Sequence, residues 1–390
     1  MIHSISVDNF YSIENNAKLD FTVSNKAPQD NTYAETGGGT RVSLIEALIG
    51  PNASGKTNLM RALPFFKWLV ADSFQYSPDK PLPFRTFANN DKPSKIEAVF
   101  EINAKVYKYK FVLTKERILS EKLKVSGRSN KRTTSKILFT RDWQEDVSEY
   151  TLNARGFNSP VNFKNIMRQN ASLVSTGHQF NHSISSEIVS YWETHDTNVI
   201  ESGWLNDEDD IYDALKYYEE NPSFKARVEK KLREFDLGFD AFNFIVKEEG
   251  TFYRVAHKFD DRDVSLPLQY ESSGTRQLFI LLFKLFTTLD SGGILVIDEF
   301  DANLHPEVVG SLVDLFADPE ENPNKSQILL STHSLTILSQ LDKYQIILVE
   351  KGENGSTESW RLDEIENVRS DDNFFAKYLS GTYGAIPRIG

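Results

Sequence analysis

The sequence predicts an α/β fold that combines a mixed sheet, an antiparallel β lobe and a helical insertion. Residues 50–57 (GPNASGKT) lie between a short apolar strand-like segment and a helical one, the setting of a glycine-rich phosphate loop. Residues 293–299 (GILVIDE) read as a buried strand that ends in two carboxylates. Residues 98–113 largely alternate apolar and polar side chains, which is typical of antiparallel strands.

Changes of pattern divide the chain into four predicted segments. The first half of the nucleotide-binding domain is followed by the antiparallel β lobe, the helical insertion and the second half of the nucleotide-binding domain. In this order the segments are residues 1–80, 81–157, 158–240 and 241–390. A proline-rich connection marks the first boundary, and the clearest helices of the insertion are expected at residues 211–219 and 222–235.

Composition excludes several classes of protein. The 390 residues are 39% hydrophobic and 26% charged, as expected of a globular protein with two or three compact units. No cysteine is present, so disulfides, cysteine-ligated zinc and a cysteine nucleophile are excluded. The sequence shows neither a run of eighteen apolar residues nor a signal peptide, which predicts a cytoplasmic protein without a membrane partner.

The loop at residues 50–57 matches G-x-x-x-x-G-K-[ST] at every position and predicts a nucleoside triphosphate site. Gly50 and Gly55 let the backbone curl so that its N–H groups point at phosphate oxygens, and the following helix N-terminus attracts negative charge. Lys56 would reach the outer phosphates and Thr57 would hold Mg2+. The predicted binding set is Asn52, Ala53, Ser54, Gly55, Lys56, Thr57 and Asn58.

Two further segments carry chemistry in the last third of the chain. Asp298 would hold Mg2+, and Glu299 would orient or deprotonate the attacking water, which favours hydrolysis over nucleotide sensing. Ser272, Ser273 and Gly274 open a predicted helix, and alone they indicate only an N-cap. Their position shortly before the carboxylate strand predicts a second phosphate-binding helix end. Because 213 residues separate it from the first, we expect the site to be shared between two copies of the chain.

These motifs together resemble the ABC-type ATPase head of the SMC and RecF branch. Residues 9–13 (NFYSI) resemble its N-terminal strand, 271–275 (ESSGT) its signature motif and 331–333 (STH) its switch strand. Residues 301–306 (DANLHP) resemble its D-loop and, with 377–387 (KYLSGTYGAIP), the OLD-like defence ATPases. That group includes RloA-type, abortive-infection, PARIS and Septu ATPases and the ATPase half of OLD nucleases.

The resemblance implies ATP and Mg2+ as cofactors and a homodimer that sandwiches two nucleotides. It makes Lys56, Glu299 and His333 the catalytic residues, with His333 at the γ-phosphate of its own chain. Ser273 and Gly274 would contact the γ-phosphate held by the partner chain. His305, in the D-loop, is expected to pack or to cap a helix.

The signature motif differs from that of transporters, and the motifs do not assign the Q-loop glutamine to a residue. The signature reads SSGT rather than the SGGQ of transporters, which fits the SMC branch. The glutamine of the Q-loop is not placed by the motifs, and Gln179 is the candidate. Asn303 and its neighbours in the D-loop would communicate across the dimer.

The resemblance also implies a role in antiviral defence, as an ATP-hydrolysing sensor or scaffold that controls a separate effector such as a nuclease. Two alternatives stay open. An intrinsic OLD-like nuclease would need metal-binding acids, for which Glu350, Asp371 and Asp372 are the candidates. A RecF-like DNA-repair ATPase would act on DNA directly.

Charge is unevenly distributed along the chain. The net charge of −12 argues against a whole-surface affinity for nucleic acid. Residues 105–136 nevertheless contain eleven Lys or Arg against two Glu, a local balance of +9. This ribbon could follow a phosphate backbone, pair with an acidic partner or protect the edge of a sheet.

Overall fold

The computed structural model describes residues 1–129, 132–158, 162–200, 203–204, 207–235, 238–247, 250–259 and 262–387. The strands of the first half are β1 Ile2–Asp8, β2 Ala17–Asp20, β3 Tyr33–Glu35, β4 Arg41–Ser43, β5 Ile45–Ile49, β6 Ser94–Ile102, β7 Lys105–Leu113, β8 Ile118–Ser129, β9 Arg132–Gln144 and β10 Glu149–Asn153. Those of the second half are β11 Asp196–Thr197, β12 Val199–Ile200, β13 Gly203–Trp204, β14 Phe239–Lys247, β15 Gly250–Phe259, β16 Arg262–Pro267, β17 Ile294–Ile297, β18 Gln327–Ser331, β19 Ile346–Lys351 and β20 Thr357–Arg361. The helices are α1 Lys56–Met60, α2 Ala62–Ala71, α3 Phe163–Ile166, α4 Leu173–Gln179, α5 Ser183–Glu193, α6 Asp207–Glu220, α7 Pro222–Glu234, α8 Ser273–Ser291, α9 Pro306–Asp314 and α10 Phe374–Leu379.

A six-stranded mixed sheet forms the nucleotide-binding layer, as predicted. Its strand order is β11-β17-β18-β5-β19-β20, and every neighbouring pair is parallel except β19 with β20. Every residue of β5, β17 and β18 is buried, which explains their nearly continuous apolar sequences. Because parallel strands end at the same edge of a sheet, the loops after β5, β17 and β18 meet there.

The predicted antiparallel lobe is a seven-stranded sheet with the order β10-β9-β8-β7-β6-β1-β2. Strand β1 pairs with β2 on one side and with β6 on the other, so both N-terminal strands belong to this sheet. The sheet therefore extends beyond the segment 81–157 and includes part of the segment 1–80. Helix α2 lies against it, with the Phe66 ring 5.8 Å from Tyr109 and 4.7 Å from Trp192 of α5.

The helical insertion contains α3 to α7, and the expected helices at residues 211–219 and 222–235 are confirmed as α6 and α7. Its strand β11 also joins the six-stranded sheet beside β17. Tyr218 of α6 packs on Phe279 of α8 at 4.9 Å and donates its hydroxyl proton to the Phe279 carbonyl at 3.1 Å. Phe242 of β14 packs on the same ring at 4.6 Å. Phe279 thus joins the insertion and the β14–β16 sheet to α8.

A buried ion pair joins the seven-stranded sheet to the segment that leads into α4. Arg141 Nη2 lies 2.8 Å from Glu121 Oε2, and both side chains are fully buried. The other Glu121 oxygen accepts the Leu173 N–H at 2.8 Å, while Arg141 donates to the carbonyls of Arg168 and Ala171. Burial raises the pKa of Glu121, whereas the Arg141 charge and the Tyr109 and Leu173 hydrogen bonds lower it.

Across the described ranges, no helix has both the length and the apolar composition that crossing a bilayer requires.

Candidate nucleotide site

The loop after β5 has the tight backbone that a phosphate cradle needs. Gly55 caps α1 in the left-handed region, with φ of 106°. A Cβ at Gly55 would fall 1.9 Å from Thr357 Oγ1, and one at Gly50 would fall 2.0 Å from the Val349 carbonyl oxygen. Both glycines are therefore required by close packing as well as by the curl of the loop.

The Lys56 side chain is buried along the inside of this loop. Its amine donates hydrogen bonds to the carbonyls of Gly50 at 2.9 Å and Pro51 at 3.1 Å. Burial lowers the pKa of Lys56, and the nearby carboxylates of Asp298 and Glu299 raise it. The cation is thus held at the loop and faces the acids at the end of β17.

A hydroxyl from the start of α1 and a carboxylate from the end of β17 meet across the cleft. Thr57 Oγ1 donates to one Asp298 carboxylate oxygen, and Ser331 Oγ donates to the other. The same Ser331 oxygen accepts the backbone N–H of Glu299 at 2.9 Å. Oxygen donors of this kind fit a hard divalent cation.

The backbone of Asp298 is fixed by Asn198, a residue that sequence reasoning missed. Asn198 Oδ1 accepts the Asp298 N–H at 2.8 Å, and Asn198 Nδ2 donates to the Asp298 carbonyl at 2.9 Å. Asn198 follows β11, which pairs in parallel with β17, so the strand pairing brings the amide to this position. A lone asparagine one hundred residues before its partner carries no sequence signal.

The predicted catalytic and phosphate-binding residues of the first loop and the carboxylate strand share one cleft of about 420 Å3. Glu299 adopts φ of 52°, a strained value for a non-glycine residue. His333 is exposed, and its backbone N–H donates to Asp301 at 3.1 Å. The cleft is lined by Asn52, Ala53, Ser54, Gly55, Lys56, Thr57, Asn58, Arg61, Asp298, Glu299 and His333.

The signature residues lie outside this cleft, at the start of α8. Ser272 caps the helix by accepting the Thr275 N–H at 3.0 Å, and Ser272 and Ser273 are both exposed. A Cβ at Gly274 would lie 2.8 Å from the Asn303 carbonyl oxygen. Within one chain the D-loop backbone therefore packs directly on the start of the signature helix.

Gln179 is not brought to the cleft. It ends α4, is exposed and precedes Phe180, whose ring contacts Phe74 just beyond the C-terminal end of α2. The ten residues of α2 carry the chain about 15 Å from the phosphate loop, which explains the separation. Gln179 does not line the cleft, and the side-chain amide that is hydrogen-bonded at the end of β17 belongs to Asn198.

A second set of hydroxyls supports the loop from the side of β20. Thr357 Oγ1 donates to the Ser54 carbonyl at 2.9 Å and is hydrogen-bonded to Ser12 Oγ at 2.7 Å. Asn58 donates to the same Ser12 oxygen at 2.7 Å. Ser12 lies in the segment 9–13 that resembles an N-terminal strand, but the sequence assigned it no role, and Thr357 has no motif around it.

Two other histidine and acidic motifs have structural contacts. His305 caps α9 by accepting the Glu307 N–H at 3.3 Å, which confirms the expectation for this residue. Glu350 accepts the Ala385 N–H at 2.8 Å, and Asp372 pairs with Lys377 at 2.6 Å. In the part of the chain that the structure describes, no group of three or more His, Cys, Asp or Glu residues is placed to hold a metal ion.

Comparisons with known proteins found structures with weak similarity to this chain. Structures with similarity include an SMC head domain from Thermotoga maritima, at 16% identity and a TM-score of 0.42 over 92% of this chain and 98% of that one. A SmcHead bound to the C-winged helix domain of ScpA matches at 15% identity and a TM-score of 0.49, over 94% and 99% of the two chains. An Smc head domain from Pyrococcus furiosus, bound to the C-terminal domain of ScpA, matches at 15% identity and a TM-score of 0.39, over 93% and 97%.

The search of curated proteins found no match. A family model described as "AAA domain, putative AbiEii toxin, Type IV TA system" matches residues 45–339, a range that includes the phosphate loop, Asp298, Glu299 and His333. The chain belongs to this family of AAA-type P-loop ATPases.

Proposed function

We propose that this chain hydrolyses ATP as the sensor or scaffold subunit of a prokaryotic antiviral system of the abortive-infection kind. In this proposal, ATP-bound dimers control a separate effector, most simply a nuclease. The observation that carries the ATPase part is the meeting of Lys56, the Thr57–Asp298 pair and Glu299 in one cleft. The family description, which names a toxin–antitoxin system, supports the defence setting.

Each residue of the cleft has a distinct task in the proposed reaction. The loop N–H groups and Lys56 bind the β- and γ-phosphates. Thr57 and Asp298 hold Mg2+, which offsets the charge on those phosphates when it is bound. Glu299 orients the attacking water and accepts its proton, and His333 donates to the γ-phosphate. Ser331 fixes both acids, because it bonds the Asp298 carboxylate and the Glu299 backbone.

The second half of the proposed site comes from another copy of the chain. Ser272 and Ser273 are exposed at the start of the nineteen-residue helix α8 and do not line their own cleft. A long helix presents free N–H groups and partial positive charge at this end. A partner that placed this end over the γ-phosphate would complete the charge stabilisation, so turnover would depend on dimer formation.

An intrinsic nuclease is the less favoured alternative. Two of its three candidate acids are engaged in local contacts, Glu350 with Ala385 and Asp372 with Lys377. A nuclease of the OLD kind would need such acids to converge on metal ions. Cleavage of DNA by the purified chain with Mg2+ or Mn2+, abolished by Glu350→Ala, would contradict the proposed role of a separate effector.

Replacement of Glu299 by Gln tests the proposed reaction. We expect phosphate release to fall by about 100-fold or more, because the general base is lost while the phosphate contacts remain. ATP should then accumulate in a stable dimer, visible by light scattering. Lys56→Ala is the matched control, since it should lose ATP binding and stay monomeric. A Glu299→Gln protein that remains monomeric with ATP would contradict the sandwich.

The effector part is tested separately, with the protein encoded by the neighbouring gene. The two proteins are co-purified, and nuclease activity of the complex is measured for the wild type and for Glu299→Gln. We expect the two complexes to differ at least about tenfold, because the variant holds one nucleotide state. Equal nuclease activities of the two complexes would contradict control of the effector by ATP turnover. They would not contradict the proposed ATPase activity.

A further inference from the structure

Four lysines lie on one face of the seven-stranded sheet. The register of β7 with β8 sets Lys108 opposite Lys124 and Lys110 opposite Lys122. The residues between them, among them Tyr109, are buried on the other face, so the four amines point to solvent. We call this surface the lysine face; it consists of Lys108, Lys110, Lys122 and Lys124.

Edge protection does not explain these lysines. In the strand order of this sheet the edges are β10 and β2, and both β7 and β8 are interior strands. Like charges directly opposite each other in a sheet are destabilising. Lys108 pairs with Glu97 at 2.7 Å, but among the described residues no carboxylate forms an ion pair with Lys110, Lys122 or Lys124.

Acids near the lysine face neutralise only part of its charge. Glu97 of β6 lies on the same face, opposite Lys110, and its ion pair with Lys108 offsets one of the four positive charges. Glu121 is on the opposite face, fully buried and paired with Arg141. Asp142 lies at the end of the same face and accepts a hydrogen bond from Ser120 at 2.6 Å. The positive charge is thus concentrated at the centre of the sheet, in a chain whose net charge is −12.

We propose that the lysine face binds the sugar–phosphate backbone of nucleic acid. The cores of protein interfaces are depleted in lysine and enriched in aromatic residues, and the centre of this face has the opposite composition. Its neighbours on the same face include the hydroxyl residues Ser126 and Thr140, and such side chains also donate to phosphate oxygens. An acidic protein partner is therefore the weaker reading.

The spacing of the lysines suits a phosphate chain. Residues two apart on a strand are separated by about 6.8 Å, and neighbouring strands by about 4.8 Å. Phosphates of one strand of a duplex follow each other every 3.4 Å along the axis, so two steps match one lysine interval. Contacts of this kind do not read bases, and binding should be independent of sequence and sensitive to salt.

Fluorescence anisotropy with a labelled 20-base-pair DNA duplex tests the proposal. With four phosphate contacts, affinity should fall about 100-fold between 50 and 200 mM salt. The triple variant Lys110→Gln, Lys122→Gln, Lys124→Gln should bind at least about 20-fold more weakly, with a salt slope flatter by about 3. The matching triple Arg variant should keep both values, because it keeps the charge.

The matched control removes the same charge elsewhere. Lys26, Lys92 and Lys325 are exposed and lie outside the seven-stranded sheet, and their triple Gln variant should bind DNA within about twofold of the wild type. Equal weakening of both Gln triples would overturn the proposal, since net charge alone would then explain binding. ATP turnover should be unchanged in all three variants, which shows that they are folded.

Two further comparisons define the ligand. Single-stranded DNA and duplex RNA of the same length are measured beside the DNA duplex and show which backbone the protein prefers. The proposal is supported if binding to at least one of these nucleic acids is weakened by the triple Gln variant of the lysine face. Polyglutamate of equal charge should bind at least about tenfold more weakly, because it lacks the phosphate oxygens that hydroxyl residues contact. Equal binding of polyglutamate, or no binding of any nucleic acid, would overturn it.

Discussion

Asp298 is held from three directions by short polar contacts. Thr57 and Ser331 donate to its carboxylate, and Asn198 forms two hydrogen bonds with its backbone. The first two contacts would change when a metal ion is bound, because the carboxylate would then turn its lone pairs to the ion. The Asn198 contacts need not change, so this residue would keep the end of β17 in place throughout the reaction.

Replacement of Asn198 by Ala should therefore impair metal binding while leaving the metal ligands in place. We expect the Mg2+ concentration for half-maximal ATP turnover to rise about tenfold, since supporting contacts of metal ligands are typically worth 10- to 100-fold. The measurement is a Mg2+ titration of phosphate release.

Asn324→Ala is the matched control for this change. Asn324 also donates its side-chain amide to backbone carbonyls, those of Leu289 and Asp290, but at the far end of α8. Its Mg2+ requirement should equal that of the wild type. If Asn198→Ala also had the Mg2+ requirement of the wild type, a positioning role for Asn198 would be ruled out.

The sequence predicted those site residues whose conformation depends on residues close to them in the chain. Lys56 and Thr57 belong to a loop whose shape depends on adjacent glycines, so a short motif suffices. Asn198 and Thr357 act on residues 100 and 303 positions away, and neither lies in a recognisable pattern. Gln179 was selected by residue type, and its helix ends away from the cleft.

At the scale of elements, the Glu121–Arg141 pair joins the β8 and β9 strands to the start of α4. Glu121→Gln should lower the free energy of unfolding by about 3 to 5 kcal/mol, because it leaves the Arg141 charge buried and uncompensated. The measurement is thermal and urea unfolding, followed by tryptophan fluorescence.

A double variant and a surface pair provide the controls. Glu121→Gln with Arg141→Met removes both charges and should be more stable than Glu121→Gln alone. Glu234→Gln breaks the pair between the exposed Glu234 and the half-buried Lys231, and it should change stability by less than about 0.5 kcal/mol. If Glu121→Gln and Glu234→Gln had equal effects, the buried pair would not be what joins these elements.

Local periodicity predicted where helices and strands occur better than it predicted which strands are neighbours in a sheet. Helices α6 and α7 carry strong helical patterns, and their predicted bounds lie close to the observed ones. Strand order depends on contacts between distant segments, so the entry of β1 and β2 into the lobe could not be read from alternation. For the same reason, the lysines of β7 and β8 could be taken for edge residues.

At the scale of the whole molecule, the proposed dimer makes each site depend on two chains. A Lys56→Ala chain lacks its own phosphate contact, and a Ser273→Glu chain would repel the nucleotide held by its partner. We expect each variant alone to be inactive. Mixed in equal amounts, they should regain part of the wild-type turnover, because each mixed dimer has one intact site, formed by the phosphate loop of the Ser273→Glu chain and the start of α8 of the Lys56→Ala chain.

The mixing experiment has an internal control. Two inactive proteins that both carry Lys56→Ala cannot form an intact site in any pairing, and their mixture should stay inactive. If the Lys56→Ala and Ser273→Glu mixture also stayed inactive, while both proteins were folded and Ser273→Glu bound ATP, a site shared between two chains would be excluded.

The position of β5 between β18 and β19 has a consequence for synthesis on the ribosome. Strand β5 ends at Ile49, whereas its partner strands begin at Gln327 and Ile346. At about 5 to 20 residues per second, translation takes roughly 15 to 60 seconds to cover that interval. During this time an apolar strand has no sheet partner, so the nucleotide cleft is among the last parts to fold. Nascent chains would need chaperones until their final third has emerged.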